Sequence, residues 1–123
     1  MSVVQVSTLP IDEKYNKGEI LKKLITELSA AIETPEERIF GTWNTNDVQV
    51  DRMQMSTEWS SDSHPPIVRI DMFEGRSKEK KARALEAVTA ALKESLDFAG
   101  NPFVYIFDIS NGQVHTGGKV IQK

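Results

Sequence analysis

Few side chains in this sequence have the types needed for chemistry. Cysteine is absent, which removes thiolate nucleophiles and any disulfide framework. The two histidines, His64 and His115, do not stand at metal-ligand spacing, so no metal site is expected. Amine, guanidinium, phenol and carboxylate chemistry remain. The α-amine at the chain start, on Met1 or on Ser2 once Met1 is removed, has an ordinary pKa of about 7.7–8.0. That is close enough to neutrality for a general base, with an inert terminus as the plain alternative. Arg76, in the run Glu74-Gly75-Arg76-Ser77, offers a planar fork that matches a carboxylate. A surface arginine in a loop before a helix is its alternative. Tyr105 is a candidate donor to an oxyanion, or a strand aromatic filling the sheet. Trp43 and Trp59 are candidate pocket walls or packing residues. Asp71 and Asp108 are candidates to assist acid–base work, with solvent-exposed strand carboxylates as the default reading. Lys78, Lys80, Lys81 and Arg83 read as a solvated helix face, and His64 as a linker residue.

The elements that must position these residues follow from an internal repeat. Val3-Val4-Gln5-Val6 lies over Ile67-Val68-Arg69-Ile70 at an offset of 64 (67 − 3). Without a gap, Leu21 then falls on Leu85, Leu24 on Val88, Leu28 on Leu92, Ile32 on Leu96 and Trp43 on Phe107. Each half reads as a strand (3–9; 67–73), a polar loop (10–17; 74–77), a helix and a second strand (38–44; 103–109). Apolar residues at 21, 24, 28, 32 and at 85, 88, 92, 96 form one helical stripe per half. Ser77 is placed to cap the second helix. Pro35 and Gly100-Asn101-Pro102 mark the ends of the two helices.

A strand-helix-strand unit implies a right-handed crossover and parallel pairing. The expected fold class is therefore α+β: two tandem β-α-β units in one four-stranded mixed sheet, with both helices on one face. The other sheet face needs a partner, which predicts oligomerisation. Repeat 1 covers 1–55, a Ser/Asp/Pro-rich linker 56–65 and repeat 2 66–123, all in one domain. Val48, Val50, Met53 and Met55 give a weak edge-strand or hairpin signal, and Asn111-Gly112 predicts a terminal hairpin.

Composition narrows the function. A net charge of −3 with charges of mixed sign gives no basic surface for nucleic acid and no basic amphipathic face for a membrane. No apolar run reaches the length of a membrane span, and the first residues lack the features of a signal peptide. A cytoplasmic protein is expected.

The run Pro66-Ile67-Val68-Arg69-Ile70-Asp71-Met72-Phe73-Glu74-Gly75-Arg76-Ser77 resembles the opening of 4-oxalocrotonate tautomerase and its relatives. Leu96-Asp97 and Gly117-Gly118 fit the same pattern. Two such units in one chain look like cis-3-chloroacrylic acid dehalogenase and 5-carboxymethyl-2-hydroxymuconate isomerase. The resemblance implies a tautomerase/MIF-like fold, a homotrimer, no cofactor, and an amino-terminal proline as base with an arginine on the substrate carboxylate. Arg76 matches that arginine. Pro66 matches the proline by position, but it is internal, and its tertiary amide nitrogen has no basic lone pair. The repeat puts Ser2 at the working position (66 − 64 = 2), after Met1. His115 falls where relatives often place a pocket-wall residue from a neighbouring subunit; a surface hairpin histidine is the alternative. A second arginine at the start of the last main strand is not evident, since Val104 and Tyr105 stand there. The function implied is a tautomerase or isomerase for small unsaturated 2-keto or 2-hydroxy carboxylates, with a site weakened by the missing proline. The rival is a member without that reaction, acting as a small-carboxylate binding or assembly protein.

Overall fold

The computed structural model describes residues 1–47, 64–97 and 100–122. Its two helices are set by local caps. In α1 (Lys17–Ile32) the Asn16 side chain accepts from the Glu19 N–H, and in α2 (Lys78–Leu96) Ser77 accepts from Lys80. Each satisfies a backbone donor that the first turn leaves free. Both helices end on a left-handed residue, Glu33 (φ 56°) and Asp97 (φ 49°), whose N–H bonds back into the last turn. Those two residues stand 64 apart (97 − 33), so the repeat extends to the way each helix stops.

The sheet has the order β2-β1-β3-β4, from β1 (Ser2–Thr8), β2 (Ile39–Thr45), β3 (Ile67–Phe73) and β4 (Phe103–Ile109). Within each half the strands are parallel: Ser2 pairs with Ile39, and Ile67 with Phe103. The halves join through the antiparallel β1–β3 pair, where Val3 faces Asp71 and Val6 faces Val68. The mixed four-stranded sheet and its two helices match the expected fold class.

Alternation along β1 and β3 sends Val4, Val6, Val68, Ile70 and Met72 under the helices. There they meet Ile20, Leu24, Leu28, Ile32, Ala84, Val88, Ala91 and Leu92. Fully burying one such large side chain stabilises by about 1.5–3 kcal/mol. The first stripe runs through Ile20 rather than Leu21, which is half-buried against Gly41 on the edge strand. In α2, Ala84 and Ala91 join the core, while Leu85 and Leu96 are only partly covered. A stripe read from large residues passes over alanines.

The opposite sheet face carries Phe40, Phe103 and Phe107, each 50–60% exposed. Large aromatics so open to water mark a surface that expects a partner. Among them lies a polar cluster that corrects the reading of Asp71. Its residue is 7% exposed, and its carboxylate accepts from Gln5 Nε2 at 2.7 Å and Arg69 Nε at 2.8 Å. Arg69 also lies 4.7 Å from the centre of the Phe107 ring. The hydrogen bond and charge of Asp71 hold the Arg69 guanidinium above its ordinary value.

After β4 a turn at Gly112 leads into a two-stranded hairpin, β5 (His115–Thr116) with β6 (Lys119–Val120). The reversal is made by Gly117 and Gly118 at φ 60° and 83°, values glycine adopts without a side-chain clash. The signal at Val48, Val50, Met53 and Met55, the linker up to residue 63, and Trp59 lie outside the described residues.

Candidate functional site

The register of the central strands brings the chain start and Arg76 to one end of the sheet. Val3 faces Asp71 in an antiparallel pair, so one and two residues further out Ser2 faces Met72 and Met1 faces Phe73. Arg76 follows Phe73 by one tight turn. Its Nη1 donates to the Phe73 carbonyl at 3.1 Å and its Nη2 to Thr34 Oγ1 at 3.0 Å. The turn itself is pinned to the sheet by the Glu74 N–H, which donates to the Ile109 carbonyl at 2.9 Å.

Electrostatics distinguish Arg76 from its neighbours. Lys80 pairs with Glu33 and Lys81 with Asp108, so two of the lysines read as a solvated face have carboxylate partners. Asp108 thereby also has a partner. Arg76 bonds to a carbonyl and a hydroxyl, and no ion pair to it occurs among the described residues. Its charge is thus held in place without being neutralised, and three of a guanidinium's five N–H donors stay available. The N-terminus of α2, one residue past Ser77, adds partial positive charge at the same end.

The two candidate bases differ in exposure. Ser2 is 1% exposed, with its Oγ buried and unpartnered among the described residues. Met1 is exposed. Sequence reasoning missed Arg38. It ends the 3₁₀ turn Glu36–Arg38, directly before Ile39, the strand partner of Ser2, so its backbone lies beside Met1. The second cation was sought in the second half, at the start of β4; the parallel β1–β2 pairing places one in the first half.

The other end of the sheet is its counterpart in the repeat. Pro66 is buried there, and its carbonyl accepts from the Phe103 N–H at 2.9 Å. A cleft of about 190 Å³ opens between Pro66, His64, Leu9, Ile11, Tyr15 and Leu96, with Asp12 on its wall. Asp12 holds the position corresponding to Arg76 (76 − 64 = 12). At the corresponding positions this end therefore has an amide nitrogen in place of the amine and a carboxylate in place of the arginine. His64, read as a linker residue, forms part of that wall.

Tyr105 sits apart from Arg76 within one chain. Tyr105 pairs with Arg69, four residues and roughly 13 Å along β3 from Phe73. It lies on the open face, 5.7 Å from the Phe103 ring. His115 is exposed on the terminal hairpin. Trp43 packs against the core, and its Nε1 donates to Thr8 Oγ1 at 3.1 Å.

Residues 66–123 match the family described as tautomerase enzyme. No curated protein matches the sequence. Among solved structures, the chain is similar to a fused 4-OT symmetric trimer, at 19% identity over 97% of this chain and 94% of that one, with a TM-score of 0.83. It is also similar to a member of the cis-3-chloroacrylic acid dehalogenase family, at 18% identity over 98% and 84%, with a TM-score of 0.76. The macrophage migration inhibitory factor of Toxoplasma gondii gives 14%, 97% and 99%, with a TM-score of 0.75. The second half of the chain thus carries the sequence pattern of the tautomerase enzyme family, and the chain as a whole has the fold of the fused tautomerases.

Proposed function

We propose that the Met1–Arg76 end of the sheet is a tautomerase site for small unsaturated 2-keto or 2-hydroxy carboxylates. The carrying observation is Arg76, fixed by two neutral oxygens and without an ion pair among the described residues, at the end where β1 begins. In this reading its free donors take the substrate carboxylate, and Arg38 supplies a second positive charge beside it. The base is the α-amine at the start of the mature chain, on Met1 or Ser2. It removes a proton from one carbon of the substrate, the electron pair moves toward the carbonyl oxygen, and the ammonium returns the proton to another carbon. Arg76 stabilises the charge that builds on the oxygen. A primary amine is less constrained than a proline ring, so the reaction is slow.

The open face with Phe40, Phe103 and Phe107 supports assembly into a homotrimer. In that assembly Tyr105 and His115 of one chain line the site of the next. A second reading, a small-carboxylate binding or assembly protein without the reaction, is favoured by one observation: serine stands at position 2, after a methionine.

The test of the shared claim is calorimetric titration with benzoylformate, a 2-keto acid that cannot enolise. Arg76→Ala should weaken binding by about tenfold or more, the loss expected for a charge-assisted contact worth about 1.5–3 kcal/mol. Equal affinity of variant and wild type removes Arg76 from the site. A phenylpyruvate tautomerisation assay on the wild type then separates enzyme from binder.

A further inference from the structure

We infer that Thr34, in the first half of the chain, is a positioning residue for Arg76 in the second. This rests on the reading of Arg76 as the carboxylate ligand. An arginine at the tip of a turn has four rotatable side-chain bonds, and its fork binds a carboxylate well only when its plane is fixed before the ligand arrives. The Phe73 carbonyl fixes one end of the fork, through Nη1. Thr34 Oγ1 fixes the other, through Nη2 at 3.0 Å. With both terminal nitrogens held, the guanidinium cannot turn about its long axis.

Thr34 can do this because it is itself locked. Its N–H donates to the Ser29 carbonyl at 3.1 Å, and the Ser29 hydroxyl donates back to the Thr34 carbonyl. Glu33, left-handed at φ 56°, turns the chain so that Thr34 leaves α1 toward the β3–α2 turn. The Glu33 carboxylate then bridges to Lys80, which ties the same corner to α2. Two halves of the chain are thereby clamped at the place where the arginine must stay still.

The repeat supplies an independent check. The counterparts of Arg76 and Thr34 are Asp12 (76 − 64) and Phe98 (34 + 64). In the sequence, donor and acceptor thus stand together in one register of the repeat and are both replaced in the other, where Pro66 has no amine. A threonine chosen only to end a helix would have no reason to follow the arginine.

The experiment titrates the full chain with benzoylformate, using Thr34→Val, Thr34→Ser, Arg76→Ala and the double variant Thr34→Val/Arg76→Ala. Valine keeps the branched shape and removes the acceptor, so affinity should fall about fivefold, the usual effect of one hydrogen bond. Serine keeps the hydroxyl and should restore affinity. The double variant should bind no worse than Arg76→Ala alone, because without the arginine there is nothing to position. A general structural role would weaken the double variant further and would not be rescued by serine; either outcome overturns the inference. Unchanged affinity in Thr34→Val beside a weakened Arg76→Ala overturns the role of Thr34 alone. A wild type that takes up no probe, or an unaffected Arg76→Ala, overturns the carboxylate reading and this inference with it.

Discussion

Ser2→Ala should make the protein more stable, not less. Ser2 is 1% exposed, and its hydroxyl has no hydrogen-bond partner among the described residues. Burying such a group unpaired costs about 1–3 kcal/mol. Removing one oxygen forfeits some contact energy, roughly 0.5 kcal/mol for a few atom pairs. The net gain is then about 0.5–2.5 kcal/mol. For a chain of 123 residues that corresponds to roughly 4 °C per kcal/mol, or an upward shift in Tm of about 2–10 °C. The measurement is thermal unfolding followed by circular dichroism, at one fixed protein concentration, because assembly makes Tm depend on concentration. An unchanged or lowered Tm refutes the reasoning, and means that the hydroxyl is satisfied in solution.

Other perturbations probe the surroundings of the site. Phe107→Glu puts a carboxylate beside Asp71 on the open aromatic face; light scattering should show dissociated chains, and an intact assembly would mean that another surface carries it. Asp71→Ala leaves Gln5 and Arg69 without their shared acceptor; it should raise the concentration needed for assembly while the helical circular dichroism stays unchanged, and loss of the helical signal would point to a folding role instead. A Cβ at Gly41 would stand 3.2 Å from Leu21 Cδ2 and 3.3 Å from Ile25 Cδ1. Gly41→Val therefore forces α1 off the edge strand and should cost about 1–3 kcal/mol in urea unfolding; a neutral result would show that the helix shifts freely.

The fold was legible because two periodicities recur in one order. The four-residue spacing of Leu24, Leu28 and Ile32 recurs at Val88 and Leu92, and alternation marks the central strands. Pro35 and Gly100-Asn101-Pro102 predict where the helices stop, and the helices stop a little earlier, on left-handed Glu33 and Asp97. Boundaries moved where local chemistry intervened: Arg38 enters a 3₁₀ turn after Pro35, so β2 starts one residue late, at Ile39. Arg76 was legible from its loop. Its partner Thr34 was not, because a contact between residues 42 apart depends on how the helices dock. Asp71 was misread for a related reason: alternation places it on the open face, but does not show that Gln5 and Arg69 close over it. Arg38 escaped because its closeness to Met1 is a matter of strand register between β1 and β2.

The central claim is that this end of the sheet lacks only a well-held base. The direct test replaces Ser2 with proline, with mass spectrometry to verify that Met1 is gone and light scattering to verify assembly. The rate of phenylpyruvate tautomerisation should then rise by about tenfold or more over the wild type, because the ring holds the amine's lone pair in line at the strand end. Adding Arg76→Ala to that variant should abolish the gain. A processed and assembled proline variant that stays inactive on phenylpyruvate and on 2-hydroxymuconate would contradict the account and leave the binding-protein reading in its place.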